Sequence, residues 1–327
     1  MILVTGAAGY IGSHFIRNLL AASNTVSVVA VDNLCTGHQE SLPDSRRMFF
    51  YNRNFGDRSA MTELMRKHEV DSVVHFAASC YVGESETDPF KYYNNNVLNT
   101  MGLLEAMSAA GVKRLVFSSS CATYGKPDFS PITEEHRQAP INTYGLTKYL
   151  IEQILFSLNR TSNLSFVALR YFNAAGANLQ GLIGESHDPE THLIPNVLKA
   201  ATGKLNCLEI YGDDYDTRDG TCVRDYVHVD DLAGAHIRAL ALTEVEKTGL
   251  GINLGTGHGA SVKEVLETCA SLTGLDIPHK VLARRPGDPA QLVADYSRAK
   301  EILGWTPKYD LATIIRSAWT WEASRRY

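Results

Sequence analysis

Tyr144 stands four positions before Lys148 in the stretch TYGLTK, and three serines ending at Ser120 close the apolar run RLVFSSS. Four residues make about one helical turn, so the phenol and the ammonium share one helix face. Alone, that spacing fits an ordinary helix start with two polar side chains in water. A phenol of pKa about 10 is a poor base at neutral pH. A neighbouring positive charge stabilises the phenolate and lowers that pKa, and a serine hydroxyl can share the substrate's proton. Ser120, Tyr144 and Lys148 together therefore read as machinery for reversible proton transfer to and from an alcohol.

A second constellation opens the chain. In ILVTGAAGYIGSH, the triplet Gly6-x-x-Gly9-x-x-Gly12 follows a strand and begins a helix. Such glycines let the backbone turn tightly and approach a pyrophosphate, which the helix N-terminus then stabilises. The setting at both ends predicts dinucleotide binding. Asp32 ends the next apolar run. A carboxylate there can accept hydrogen bonds from the adenosine ribose and would repel a 2′-phosphate, and no arginine or lysine follows in DNLCTG. That choice favours NAD over NADP. The plainer alternative for Asp32 is an acid that caps the turn after its strand.

These groups need a frame. Short β-branched runs at 25–32, 48–52, 72–78, 114–120 and 166–173 alternate with helical patterns at 11–22, 59–68, 92–110 and 144–159. Unalternating apolar runs suit strands buried on both faces, and strand–helix repetition predicts a parallel sheet with helices on each side. The expected fold class is α/β, a Rossmann-type doubly wound sheet with a smaller C-terminal α/β substrate domain. We expect the first domain over 1–175 plus about 226–255, and the second over 176–225 and 256–327. Within the latter, Ser261 and Glu264 form a candidate capping box and Gly274 a candidate stop.

Composition narrows the partners. The 327 residues carry a net charge of -5, which gives no electrostatic support to a nucleic-acid partner. No apolar run approaches the roughly 20 residues of a membrane span, and the N-terminal run lacks a signal peptide's basic flank. The six cysteines are scattered, without a C-x-x-C pair, as expected of free thiols in a reducing cytoplasm. His75, His228 and the other histidines show no metal cluster, and the acids of DDYDTRDG read as a solvated loop, so no metal is expected.

The glycine turn, Asp32, FSSS and YGLTK together resemble the extended short-chain dehydrogenase/reductase family. Further segments place the resemblance among its NAD-dependent epimerase/dehydratase members over essentially the whole chain: VVHFAA, VGES, KYYNNNV, LRYFNAAGA, VRDYVHVDDLA, INLGTG and RRPGD. The resemblance implies bound NAD and a UDP-sugar substrate. It also implies 4-epimerisation of a UDP-hexose, interconverting UDP-galactose and UDP-glucose through a 4-keto sugar. UDP-N-acetylhexosamines and UDP-pentoses are the alternative substrates. A dehydratase would need an Asp-Glu pair after the serine, where this chain has Cys121 and Ala122.

By the same resemblance, Tyr144 is the general base, Lys148 its partner and a ribose contact, and Ser120 the hydroxyl on the reacting oxygen. Tyr10 and Ile11 would follow the phosphate turn, and Asp32 and Asn33 would hold the adenosine end. Phe76, Ala77, Ala78, Asn95 and Phe172 would line the NAD site. Asn173, Leu193, Tyr211, Arg224, Arg285 and Asp288 would hold the UDP-sugar, the arginines as clamps on its pyrophosphate. Departures from the family pattern are Cys80 in place of a lysine, Asn54 in place of an adenine-contacting aspartate, and His192 in place of a substrate-contacting asparagine. Leu292 falls beside the sugar's 2-position. A homodimer is expected, with the helices near 92–110 and 144–159 pairing across a two-fold axis.

Overall fold

Strands buried on both faces must spend their backbone N–H and C=O groups on neighbouring strands, and here they do so in one sheet. The structure is a computed structural model that describes residues 1–245, 247–285 and 287–327. Pro286, inside the RRPGD segment, lies outside the described residues. Seven strands build the sheet: β1 (Ile2–Thr5), β2 (Val28–Asp32), β3 (Met48–Asn52), β4 (Ser72–His75), β5 (Arg114–Ser120), β6 (Ser165–Tyr171) and β7 (Gly249–Leu254). Their order is β7-β6-β5-β4-β1-β2-β3, every pair parallel. The winding reverses between β1 and β4, and a crevice at such a reversal is where open α/β sheets bind ligands.

Alternation along each strand divides the core into two. Val4, Ala30, Val74 and Val116 face helix α1 (Tyr10–Ala22) and the helix Val229–Val245. Leu3, Val29, Val73 and Leu115 face α2 (Arg58–Lys67), α3 (Asn99–Ala110) and α4 (Thr143–Ser162).

Boundaries shift where local chemistry overrides periodicity. Residues 25–27 stay outside β2, and β4 stops at His75, so that Phe76–Ala78 leave the sheet as a loop. The helix expected over 92–110 contains a π-type turn at Tyr93–Leu98 before α3. Asn142 caps α4 by accepting from Gly145 N at 2.7 Å, and α4 runs on to Ser162. Ser261 and Glu264 form the reciprocal capping box, and Gly274 ends that helix at φ 69°.

The C-terminal elements form short sheets. Strand Leu208–Tyr211 pairs with His279–Leu282, and Val223–Arg224 lies between Ala260–Ser261 and Gln291–Leu292. Helices Leu193–Ala201, Val262–Thr273 and Leu311–Ser324 close over them around Ile194, Val265 and Ile314.

One buried ion pair locks α4 to the sheet. Arg170 on β6 donates to Glu152 through Nε at 3.0 Å and through Nη2 at 2.6 Å. Ser119 Oγ and Gln138 Nε2 also donate to this carboxylate, while Arg170 Nη1 donates to Tyr124 Oη at 2.9 Å. Removing one partner of a buried pair leaves the other's charge uncompensated. Glu152→Ala is thus expected to lower the unfolding free energy by about 3–5 kcal/mol, read as a shift of the denaturant midpoint. A shift below about 1 kcal/mol would show that the pair does not hold this frame.

Candidate active site

The glycine turn is shaped by contacts no side chain could share. Gly6 has φ 68°, and a Cβ on it would stand 2.6 Å from Ala77 N. A Cβ on Gly12 would stand 2.1 Å from Gly6 O. Gly9 precedes α1 without a side-chain cap, which leaves the first-turn N–H groups of Tyr10 and Ile11 free for an anion. The Tyr10 side chain itself turns away, its hydroxyl donating to Gly176 O at 2.6 Å.

Asp32 is buried at the end of β2. Its Oδ2 accepts from Ala8 N at 2.9 Å and its Oδ1 from Leu34 N at 2.8 Å, so it does cap the turn. Each oxygen keeps lone-pair capacity for a ribose hydroxyl. Asn33 Oδ1 accepts from Cys35 N at 3.2 Å, and Asn54 Oδ1 from Gly56 N at 2.8 Å. Phe76 packs on His236 with centroids 4.6 Å apart, and Ala77 and Ala78 continue the loop over Gly6. Phe172 sits in a buried cluster with Tyr124, Ile132 and Ala294.

At the carboxyl end of β5, Ser120 meets the first turn of α4. Lys148 is buried, and its Nζ donates to Ser118 O at 2.7 Å. It lies 4.9 Å from the Phe117 ring centroid and 5.9 Å from that of Tyr144. Burial pulls its ammonium down to about 8, against the attraction of Glu152 one turn further on. The lowering expected for Tyr144 from Lys148 and an oxidised nicotinamide ring together is not produced by the protein groups alone. Burial pushes this phenol well above 10, and its hydrogen bond with Ser120 acts in the opposite direction. Burial and the charge of Lys148 hold His75 down to about 3. Neutral His75 bridges Thr5 Oγ1 at 2.6 Å and Thr100 Oγ1 at 2.9 Å.

Two asparagines support this corner, and the sequence singled out only one. Asn95 Nδ2 donates to Ser79 Oγ at 3.1 Å. Buried Asn96 donates to Ser79 O at 3.0 Å and to Thr147 Oγ1 at 3.0 Å, and accepts from Ser79 N at 2.8 Å. It thereby fixes the 79 loop to α4. Thr147 in turn donates to Tyr144 O. Cys80 follows as an exposed thiol.

The residues expected on the sugar side form two pairs. Arg224 Nη1 donates to Val223 O at 2.8 Å and Nη2 to Asp288 Oδ1. Its charge reaches Cys121, the neighbour of Ser120. The Arg285 guanidinium lies 3.9 Å from the ring centroid of Tyr211, whose hydroxyl donates to Glu209. Asn173 bonds through its backbone N to Asp225 O at 2.9 Å, and Leu193 opens the helix Leu193–Ala201. Leu292 pairs with Arg224 across the short sheet and packs on the Phe172 cluster.

Two histidines are less dispersed than expected. Glu185, His187, Glu190 and His192 bring four ligand-type atoms within 4.8 Å of one another, although no metal cluster was expected from the histidines. Of the acids of DDYDTRDG, Asp213, Asp214 and Asp216 are exposed as expected, while Asp219 accepts from Thr221 and Ser261. His228 is a buried partner of Ser317, as a core histidine should be.

Comparison with known proteins agrees with this arrangement. The model of the NAD dependent epimerase/dehydratase family matches residues 2–255. The chain is 47% identical to a UDP-glucose 4-epimerase of Rhizobium leguminosarum bv. trifolii, over 98% of this chain and 97% of that one. It is 49% identical to the UDP-glucose 4-epimerase of Brucella ovis solved in complex with NAD, covering 97% of each chain at a TM-score of 0.93. With the Bifidobacterium longum enzyme, solved with NAD+ and UDP, it shares 37% identity at a TM-score of 0.92 over 99% and 98% of the chains. Sequence and fold agree: the chain belongs to the NAD dependent epimerase/dehydratase family.

Proposed function

We propose that this chain interconverts UDP-galactose and UDP-glucose by NAD-dependent epimerisation at carbon 4 of the sugar. The observation that carries the reading is the meeting of Ser120, Tyr144 and Lys148 at the carboxyl end of β5, beside a glycine turn whose tight backbone packing opens the first turn of α1. We assign the NAD domain to 1–175 and about 226–255, and the UDP-sugar domain to 176–225 and 256–327.

The cradle around Gly6, Gly9 and Gly12 fits a dinucleotide, with Asp32 and Asn33 at the adenosine end and Asn54 near the adenine. Phe76, Ala77, Ala78, Asn95 and Phe172 would line the remainder. When bound there, NAD supplies a reversible hydride acceptor for carbon 4. Tyr144 Oη, as the phenolate that Lys148 and the positive nicotinamide ring of bound NAD would together stabilise against burial, takes the proton of the 4-hydroxyl, and Ser120 holds the same oxygen during the transfer. Lys148, charged below about pH 8, stabilises the phenolate from behind. The 4-keto sugar turns over within the site, and Tyr144 returns the proton to the oxygen on the other face. Arg224 and Arg285 hold the UDP pyrophosphate, with Asp288 and Tyr211 orienting them and Asn173 and Leu193 flanking the sugar.

UDP-N-acetylhexosamines and UDP-pentoses remain as rival substrates. Leu292 is braced against the Phe172 cluster, and this fixed wall supports a plain 2-hydroxyl over an N-acetyl group. We further propose a homodimer in a reducing cytoplasm. Phe90 is 76% exposed and Leu98 61% on the stretch leading into α3, too much apolar surface to leave in water and well placed for a second copy. All six cysteines are free thiols.

Three outcomes follow from this reading. Incubation with UDP-galactose should yield UDP-glucose without consuming added NAD, and faster than UDP-N-acetylgalactosamine or UDP-arabinose reacts; no UDP-glucose from NAD-loaded protein would refute it. Tyr144→Phe should keep fold and bound NAD but lose about 10²–10⁴-fold in kcat. Loss of the Lys148 ammonium should make kcat fall as pH rises through about 8, so a profile flat to pH 10 would remove Lys148 from the proposed role. For the dimer, Phe90→Asp with Leu98→Asp should halve the sedimenting mass, and an unchanged mass would place the interface elsewhere.

A further inference from the structure

The segment from Glu185 to His192 brings two carboxylates and two imidazoles together. His187 Nδ1 lies 3.3 Å from Glu185 Oε1 and 3.6 Å from Glu190 Oε2. His192 Nδ1 lies 2.8 Å from Glu185 Oε1 and 2.9 Å from Glu190 Oε1. One such atom from each residue forms a set whose members all lie within 4.8 Å of one another, so small side-chain shifts would bring them to the about 3.3 Å spacing set by a tetrahedral ion with arms of about 2.0–2.1 Å. We propose that Glu185, His187, Glu190 and His192 form a closed site for a divalent transition metal ion, with zinc as the best-matched ion.

Charge supports the same conclusion. The Glu185 and Glu190 side chains are only 7% and 3% exposed, and among the described residues no lysine or arginine pairs with either. Two buried carboxylates need two positive charges nearby. Protonation of both imidazoles could provide them, but His187 Nδ1 is buried without a hydrogen-bond partner among the described residues. A proton there would be poorly directed, whereas a lone pair aimed at a shared cation satisfies the atom. Two nitrogens and two carboxylate oxygens form a borderline ligand set that zinc accepts.

The surroundings hold the ligands in place. Trp321 Nε1 donates to Glu185 O at 2.9 Å, and Asn196 Nδ2 to Glu190 O at 3.2 Å. Glu190 Oε1 also accepts from the backbone N of Thr191 and of His192. Gly184 lies so close to Trp321 that a Cβ would stand 2.3 Å from the indole, which fixes the entry to the segment. Four protein ligands leave no open position, so the ion acts as a structural staple rather than a Lewis acid. It ties the glycine-turn side, where Tyr10 packs edge-on against His187, to the start of the helix carrying Leu193. His192, expected beside the substrate, is then occupied as a ligand. The site stands on this geometry and does not depend on the substrate assignment.

The test uses the full NAD-containing chain. Purified without chelator, it should carry one zinc ion per chain by elemental analysis. After stripping, added zinc chloride should restore that stoichiometry and raise the unfolding temperature. Cobalt(II) in its place should give the visible bands of a tetrahedral ion without a thiolate charge-transfer band. His187→Ala with Glu190→Gln should abolish uptake while NAD remains bound. If that variant fails to fold, the wild-type stoichiometry and cobalt spectrum still decide. Absence of uptake in excess zinc would overturn the proposal in favour of an imidazolium–carboxylate network, and a thiolate band would overturn it by placing the ion on cysteine.

Discussion

Glu152 has no hydration to fall back on, and its pairing with Arg170 determines where α4 can sit. Tyr144, Lys148 and Glu152 are spaced one helical turn apart, so a single face of α4 carries the phenol, its neighbouring ammonium and the anchor. Anchoring the third to β6, and through Ser119 to β5, fixes the register of the first two against Ser120. A slip of one residue along the helix would rotate the phenol by roughly 100°, away from the strand end. The ion pair is therefore a positioning device whose effect is felt eight residues away.

Burial at this corner works against the charged forms of both proton-handling groups. It raises the phenol and lowers the ammonium, bringing Lys148 to about 8 and leaving it charged at neutral pH. The Ser118 carbonyl and the Phe117 ring face compensate part of the lost hydration of Lys148. Keeping His75 neutral matters for the same reason: a second cation behind the strand would oppose the first. Tying that imidazole between Thr5 and Thr100 uses both ring nitrogens in hydrogen bonds.

Much of this was legible in the sequence because its signals are local. The glycine turn, the acid ending β2, the serine ending β5 and the i,i+4 pair in α4 each declare themselves within a few residues. Contacts between distant elements leave no such trace: Arg170 and Glu152 look like an ordinary strand arginine and a helix-surface glutamate. The choice between Asn95 and Asn96 was illegible for another reason. Asn95 came from the family resemblance, whereas the role of Asn96 depends on contacts with Ser79 and Thr147 that a π-type turn at Tyr93–Leu98 brings into reach and that no period reveals. The Glu185–His192 cluster was missed because it lies in a loop, where side-chain direction follows no fixed period. The raised phenol was missed because pair spacing reveals a neighbouring charge and not the desolvation that outweighs it.

The sugar side shows how much a site can prepare before its ligand arrives. Arg224 is held by Asp288 and by its neighbour's carbonyl, and Arg285 by the face of Tyr211. A guanidinium has five N–H donors in a fixed fork, so two commitments by Arg224 still leave donors for a phosphate. The ordering of that side chain is completed during folding, which lowers the entropy cost of binding. Asp288 sets the limit of this arrangement. Its negative charge repels an incoming pyrophosphate, so the clamp is best served when the diphosphate shares Arg224 with Asp288 from the opposite side of the guanidinium plane's edge. Among the described residues no carboxylate forms an ion pair with Arg285, so in the proposed clamp it could supply the balancing charge that Arg224 shares with Asp288.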